Sequence, residues 1–379
     1  MDLNELRLKI NSIDSQLLPL FIERMNVAAD VAEYKAQHSL PVLDKAREAQ
    51  LLEKIASSVD KDMEKYALAL YNTILDLSKT YQSSKLYKDA HISQMISLAK
   101  SKKLTALPQT ARVACQGVEG AYSQQACKKL FAEPSISFYG SFEEVFNAVN
   151  NCECEYGILP IENSIAGSVN KVYDLMKNHQ FYIVKSVRLP ISHCLLAKKG
   201  TKLEDIKEVY SHEQALNQCS NFTQSHDLAA IVCENTAVAA TKVANSQRND
   251  IGAICSALCA DIYGLEILES NIQNSNHNYT RFICISKEHE IYSDANQISL
   301  MMNIPHTPGS LYSVLSRFQS LGLNLLKLES RPIPEREFEF TFYFDVECKK
   351  DDNTLYNVCD ELRTTFPEFV YLGTYSEVL

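Results

Sequence analysis

Leu3, Leu6, Ile10, Ile13, Leu17 and Leu20 step by three and four, so the chain opens on the apolar stripe of an amphipathic helix. The same stepping continues through Arg24 to Val27, Val31 and Tyr34. Arg24 thus takes a seam position where a leucine would be expected, and a buried guanidinium needs a carboxylate from protein or ligand. Lys35 lies about 20° round the helix from Arg24 and about 16 Å along it, on the same face. Pro19 falls inside this helix, where a kink is expected, and Pro41 ends it. "DKARE" opens a second helix with Asp44, Arg47 and Glu48 on one side, and a third, over about residues 61–84, carries Ser78 and Gln82 one turn apart. No glycine precedes Gly117, which fits a helical first hundred residues. Arg7 shares the first stripe but lies about 25 Å from Arg24 along the axis. It is either a solvated edge residue or one that reaches the site of a second subunit.

From residue 83 to 110 the pattern is polar and lysine-rich, reading as the end of the third helix and then a connector. Short apolar strands then alternate with helices, which predicts an α/β body. Strand candidates are "RVACQ", "YGILP", "FYIVKSV", "CLLA", "EVYS", "AAIVC" and "GAICS". Helices start in "GVEGAYSQQA", "SFEEVF", "SHEQAL" and "NTAVAA", and Ser141/Glu144 and Ser211/Gln214 have capping-box spacing. Each alone is a capped helix. Together, helix N-termini at the carboxyl ends of strands suit a ligand that bears carboxylates. "NHNYTRFICIS" reads as a buried strand led by Thr280 and Arg281, where the arginine either snorkels from a strand end or serves a site. From Gln297 onward, "QISLMMNI", a helix in "TPGSLYSVLSRFQSLG" with Thr307 as cap and Pro308 at its first position, "NLLKLESRP", "FEFTFYFDVE", a helix near 352–364 and "FVYLGTY" give a βαββαβ order, the ferredoxin-like plan.

A chain of 379 residues exceeds one core, so several domains are expected. The 22% of charged residues and net charge of -10 argue for a globular protein and against a nucleic-acid surface. No apolar run approaches a membrane span, and "MDLNELRLKINSID" is mixed in charge, unlike a signal peptide. Cys152/Cys154 and Cys255/Cys259 lack C-x-x-C spacing, so the 12 cysteines read as free thiols in a reducing cytoplasm.

Arg7, Arg24, Lys35, Asp44, Arg47, Glu48, Ser78 and Gln82 stand in the order and spacing of the all-helical chorismate mutases, which residues 1–85 resemble. The resemblance implies a homodimer, or a larger assembly, interlocked through the long first helices, with Arg7 serving the partner's site. Conversion of chorismate to prephenate is a pericyclic rearrangement without nucleophile or proton transfer, so the protein holds the reactive conformer and stabilises charge on the breaking ether oxygen. The resemblance gives Arg7, Arg24 and Arg47 the two carboxylates and Lys35 and Gln82 the ether oxygen. Asp44, Glu48 and Ser78 hold the hydroxyl and the donors.

Beyond a connector at 86–110, residues 111–286 resemble prephenate dehydratase in "GAYSQQA", "GILPIENSIAGSVN", "SHEQALNQC", "NTAVAA" and "NYTRF". This implies two α/β lobes of periplasmic-binding-protein-like form with the site between them, the chain crossing twice. Thr280 is the expected donor to the departing hydroxyl. Glu162, Asn163, Ser164, Ser211, Gln214, Arg281 and Phe282 are the expected prephenate contacts, and no metal or cofactor is required. Residues 297–379 resemble an ACT domain. Gly309-Ser310-Leu311 and Glu329-Ser330-Arg331-Pro332 match its two effector motifs, with Ser310 where the family often has alanine. The implied reading is a bifunctional enzyme of phenylalanine biosynthesis inhibited by phenylalanine. A sensing protein without catalysis and an arogenate dehydratase are the alternatives. Lys35, Gln82 and Thr280 oppose the first, and a fused mutase opposes the second.

Overall fold

The computed structural model describes residues 2–38, 40, 44–86, 91–334, 336–348, 354–366 and 368–379; Pro41 lies outside them. Helix α1 (Leu3–Gln37) starts on a reciprocal cap: Asp2 Oδ1 accepts from the Glu5 amide at 2.8 Å, and Glu5 Oε2 accepts from the Asp2 amide at 3.1 Å. It continues through Pro19 as one element, so the proline forfeits a backbone bond without dividing the helix. Helices α2 (Lys45–Ser57) and α3 (Lys61–Leu86) follow, and both α1 and α2 pack on α3. The polar stretch read as a connector contains a further helix, α4 (His91–Ser101), which buries Ile92, Ile96 and Ala99. Its first amides are capped by Asp360, far along the chain, at 2.8 Å to Ile92 N and 3.0 Å to Ser93 N.

The α/β region runs β1 (Thr110–Gln116), α5 (Tyr122–Leu130), β2 (Glu133–Tyr139), α6 (Phe142–Asn150), β3 (Tyr156–Asn163), β4 (Gly167–Ser168), α7 (Asn170–Met176) and β5 (Tyr182–Pro190). It continues with β6 (Cys194–Ala197), β7 (Glu208–Ser211), α8 (Glu213–Gln218), α9 (Ser220–Ser225), β8 (Ala229–Val232), α10 (Thr236–Asn245), β9 (Ile251–Cys255), α11 (Leu258–Tyr263), β10 (Glu266–Glu269) and β11 (Tyr279–Ser286). After these come β12 (Gln297–Ile304), α12 (Ser310–Ser320), β13 (Leu325–Pro332), β14 (Phe340–Glu347), α13 (Thr354–Thr365), β15 (Val370–Tyr375) and β16 (Glu377–Val378). Three sheets result, ordered β16-β5-β11-β3-β1-β2 with β4 on β3, β10-β6-β9-β7-β8, and β13-β14-β12-β15. Strand β11 returns to the first sheet after the chain has built the second, and pairs antiparallel with both β3 and β5. The core of the first sheet is Val113, Cys115, Ile158, Val184, Phe282 and Cys284, closed by Phe131.

Two compact units hold these elements: residues 1–98 with 300–371, and residues 99–299 with 372–379. In the first, α12 and α13 pack against α3, and a buried Arg317–Glu361 pair at 2.8 Å ties α12 to α13. Burial pushes the Glu361 carboxyl upward while Arg317 draws it down.

Three local readings differ from the sequence expectation. Ser141 Oγ accepts from the Glu144 amide at 3.2 Å as expected, but the Glu144 carboxylate returns to the Gly140 amide at 2.9 Å. Ser211 does not cap α8; His212 does, its Nδ1 accepting from the Gln214 amide at 3.3 Å, while Ser211 is buried and donates to the Ile254 carbonyl at 2.5 Å. Helix α12 begins at Ser310, because Gly309 at φ 86 has the left-handed backbone that keeps Thr307 and Pro308 out of its first turn. Among the described residues no helix is long and apolar enough to cross a membrane. All twelve cysteines are thiols, eleven of them buried.

Candidate functional sites

In the helical region, Arg24 Nη1 donates to Ser78 Oγ at 2.6 Å, joining α1 to α3. Ser78 is buried and passes its own proton to the Ile74 carbonyl at 2.8 Å. Glu48 of α2 reaches Lys79 at 3.5 Å, and Lys79 also pairs with Asp76 at 3.0 Å. Asp44 Oδ1 caps α2 through the Arg47 amide at 3.0 Å, and the Arg47 side chain is exposed. Lys35 and Gln82 are half-buried, whereas Arg7 is exposed, as is the apolar stripe around it from Leu3 to Leu20. The fold thus brings Arg24 onto Ser78 and Glu48 onto the neighbouring Lys79, and leaves Arg7 outside the group.

In the α/β region a cavity of about 350 Å³ is lined by Thr280 and Phe282 of β11, Asn163 and Pro160 of β3, and Gln116 at the end of β1. The starts of α5, α8 and α10 complete it through Tyr122, Ser123, Gln214, Asn235 and Thr236. Asn235 Oδ1 caps α10 at 2.8 Å from the Val238 amide. The positive dipole ends of these helices thus lie at the wall of the cavity.

Thr280 is held from the side. Asn163 Nδ2 donates to Thr280 Oγ1 at 3.0 Å, and to Asn278 Oδ1 at 2.8 Å. Asn163 is itself fixed, since its Oδ1 accepts the Ile165 and Ala166 amides at 3.1 and 2.9 Å. With its oxygen already accepting, the threonine keeps its proton for an acceptor in the cavity. The polar chain runs on: Asn278 Nδ2 donates to Gln218 Oε1 at 3.0 Å, which also meets His193 Nε2 at 2.9 Å. Tyr122 donates to the Ser192 carbonyl at 2.6 Å, beside His193 Nδ1 at 3.3 Å. Gln218 Nε2 is buried without a hydrogen-bond partner among the described residues. Burial holds the His193 imidazole below its ordinary pKa, with Gln218 pulling the other way, and raises the Tyr122 phenol well above its usual range.

Of the expected contacts, Thr280, Asn163, Gln214 and Phe282 line the cavity together. Ser164 clasps the start of β11 instead, accepting from the Tyr279 amide and donating to the His277 carbonyl, both at 2.9 Å. Ser211 lies under α8. Arg281, on the opposite face of β11, pairs with Glu377 at 3.2 Å, and Glu162 is its cross-strand partner on β3. Tyr122, His193, Gln218 and Asn278 were missed. Gln218 follows Gln214 by one helical turn, a spacing that could have found it. His193 and Asn278 stand in loops, where no periodicity marks them.

An all-helical region joined to an α/β body whose half-open cleft sets polar side chains among apolar ones defines a two-site enzyme for small substrates. The chorismate mutase type II model matches residues 6–83, and the prephenate dehydratase model matches residues 113–290. The chain is 31% identical over 382 residues to the bifunctional chorismate mutase/prephenate dehydratase of Escherichia coli (strain K12), covering 98% of this chain and 95% of that protein. It is 37% identical over 281 residues to arogenate dehydratase/prephenate dehydratase 1 of Arabidopsis thaliana, covering 70% of this chain and 71% of that protein. The crystal structure of prephenate dehydratase from Arthrobacter aurescens in complex with L-Phe superposes with a TM-score of 0.65 at 26% identity, over 70% of this chain and 90% of that one. The chain belongs to the bifunctional chorismate mutase/prephenate dehydratase family.

The buried His193 generates a pH prediction. The unfolded chain takes up this proton near pH 6.5, the folded protein only below that. The native state therefore loses stability as pH falls through this window and regains it as pH rises. His193→Gln should destabilise at pH about 7.5, with the gap to wild type narrowing at pH about 5. Thermal unfolding at the two values reads it out, and a gap that widened in acid would contradict a neutral His193.

Proposed function

We propose that the chain rearranges chorismate to prephenate on its helical region and converts prephenate to phenylpyruvate in the α/β cleft. The observation that carries the second half is Thr280, whose hydroxyl accepts from Asn163 and retains a proton to give. In the elimination, the C–C bond to the ring carboxylate breaks and its electron pair enters the ring. The C–O bond to the 4-hydroxyl then breaks, oxygen leaving with the pair and with the proton Thr280 supplies, so the products are CO2, water and the aromatic ring. Solvent returns the proton to Thr280. None of the described residues lining the cavity is Asp, Glu, Lys or Arg. A carboxylate without a cation partner is less stabilised than in water, which favours its departure as CO2. The helix N-termini remain for the pyruvyl carboxylate.

The mutase half needs only cations and fixed donors, and Arg24, held on Ser78, is oriented for a carboxylate. Lys35 and Gln82 take the ether oxygen in this reading, with Asp44, Arg47, Glu48 and Ser78 around them. Arg7 serves a second copy, and the bare stripe from Leu3 to Leu20 is the surface that copy covers. Residues 1–85, 111–286 and 297–379 are the three functional domains. The last is a ferredoxin-like ACT sensor for phenylalanine, supported by the β12-α12-β13-β14-α13-β15 order and by Gly309 at φ 86 before α12. Ser310 and Leu311 open that helix, and Glu329, Ser330, Arg331 and Pro332 end β13. A cytoplasmic setting is in keeping with the buried thiols.

Lys35→Ala should abolish prephenate formation while added prephenate is still consumed, and Thr280→Ala should make prephenate accumulate from chorismate. A coupled assay from chorismate to phenylpyruvate tests both, and loss of both activities from either change in a folded protein would refute two separate sites. Mixing inactive Arg7→Ala and Lys35→Ala subunits should restore part of the mutase rate, because a mixed dimer holds one site with both residues intact; no recovery after verified exchange returns Arg7 to its own chain. Phenylalanine should inhibit the dehydratase, and Gly309→Val should relieve that inhibition. A Cβ at Gly309 meets open space, so the change acts through left-handed backbone strain of about 1–2 kcal/mol. Retained inhibition in this variant would count against the effector role.

A further inference from the structure

Arg281 and Arg188 are directly opposed across β11 and β5. Like charges at such a position destabilise a strand pair. Only 13% of the Arg281 side chain is exposed, so water screens it poorly. One carboxylate stands against both: Glu377 Oε1 is 3.2 Å from Arg281 Nε, and Glu377 Oε2 is 2.5 Å from Arg188 Nη2. The Arg281 guanidinium also donates to the Tyr375 hydroxyl at 2.9 Å, which meets Ser299 Oγ at 2.7 Å.

Glu377 is well placed to do this because its segment is pinned to the sheet. β16 pairs parallel with β5 through Glu377↔Ser186 and Val378↔Val187. Beside it, Lys185 donates to Asp294 at 2.6 Å and to Ser376 Oγ at 2.8 Å. Gly373 passes so close to β5 that an added Cβ would lie 2.2 Å from the Ile183 carbonyl oxygen. Arg281 is flanked by Thr280 and Phe282, both lining the cavity, and the register of β11 on β3 shifts between Arg281 and Phe282. The irregularity thus falls between Arg281 and a residue of the cavity wall.

We propose that Glu377 is a positioning residue for the dehydratase step, clamping Arg281 from the rear of the sheet so that Thr280 Oγ1 stays aligned on Asn163 and the cavity. This rests on the reading of Thr280 as the proton donor. Without the Glu377 carboxylate, Arg281 and the opposed Arg188 lose the one carboxylate they share, Glu162 standing across from Arg281 on β3 only, and a displacement of about 1 Å at a reacting group can cost about a hundredfold in rate.

The test uses the full chain with prephenate as substrate. Glu377→Gln should lower dehydratase kcat about tenfold or more, with KM changed by less than about threefold, because binding groups elsewhere in the cleft are untouched. Thermal unfolding followed by circular dichroism on the same preparation reports whether the α/β unit is folded. Glu377→Asp should recover part of kcat, and so should Glu377→Gln combined with Arg188→Gln, since removing one guanidinium relieves the repulsion. If Glu377→Gln fails to fold, Tyr375→Phe, which deletes the 2.9 Å contact to Arg281, should lower kcat several-fold at unchanged KM. Wild-type kcat in the folded variant, a rise in KM alone, or no recovery in the double variant overturns the proposal. Thr280→Ala run alongside separates the two readings: activity retained there refutes the donor assignment, whereas an inactive Thr280→Ala beside an unaffected Glu377→Gln refutes the clamp alone.

Discussion

Strand β11 is hydrogen-bonded on both edges, to β3 and to β5, and the cleft depends on that double pairing. A strand added from outside the run of β1 to β5 could be placed in several registers, and a slip of one residue would turn Thr280 to the wrong face. Phe282, Ile283, Cys284 and Ile285 remove that freedom by being buried. Each large apolar side chain contributes on the order of 1.5–3 kcal/mol, which outweighs any alternative that exposes them. Burial along β11 therefore sets the address of its first residues. Asn163, on the neighbouring β3, then meets Thr280 because Thr280 and Asn163 are cross-strand partners.

The two halves of the chain meet anionic substrates with opposite electrostatics, and the chemistry explains why. A rearrangement that moves no proton and loses no group gains from permanent charge at the carboxylates and the breaking oxygen, so Arg24 and Lys35 fit it. A reaction that expels a carboxylate is slowed by a cation that holds it. The α/β cavity is accordingly lined by two threonines, two asparagines, three glutamines, a serine, a tyrosine and two histidines, with no Asp, Glu, Lys or Arg among its described lining residues, and burial holds one imidazole, His193, below its ordinary pKa. The charge of Arg281 is spent on the other face of the sheet, against Glu377. The threonine faces the cleft and the arginine faces away, because successive side chains of a strand point to opposite faces.

That alternation also marks how far sequence reasoning reached. The helical stripe, the α/β alternation, the return of "NYTRF" to the first sheet and the βαββαβ order were legible, because each rests on a local period or on motif order. Thr280, Asn163, Gln214 and Phe282 were legible as members of one cleft. What escaped depends on partners far along the chain. Helix α4 was hidden in a lysine-rich stretch and takes its cap from Asp360, 268 residues on from Ile92. His193 and Asn278 join the site through contacts with Gln218, Asn163 and Tyr122, all far along the chain, and no spacing encodes those contacts. Ser211 had the right interval for a cap, but its side chain is buried beneath the helix, and the exposed His212 caps instead.

The first half of α1 shows the complementary limit, a pattern plain in the sequence and unexplained by the single chain. Leu3, Ile10, Ile13 and Leu20 are all more than half exposed, on a helix that neither Pro19 nor its polar neighbours break. An isolated helix gains little from such a stripe, since most helical stability in water comes from packing an apolar face. The same turns carry Arg7, too far along the axis to reach the group around Arg24 in its own chain. The second copy proposed above would answer both observations. Laid along α1 it would bury the stripe and bring Arg7 to its partner's site, so the apolar spacing and the distant arginine would share one physical cause.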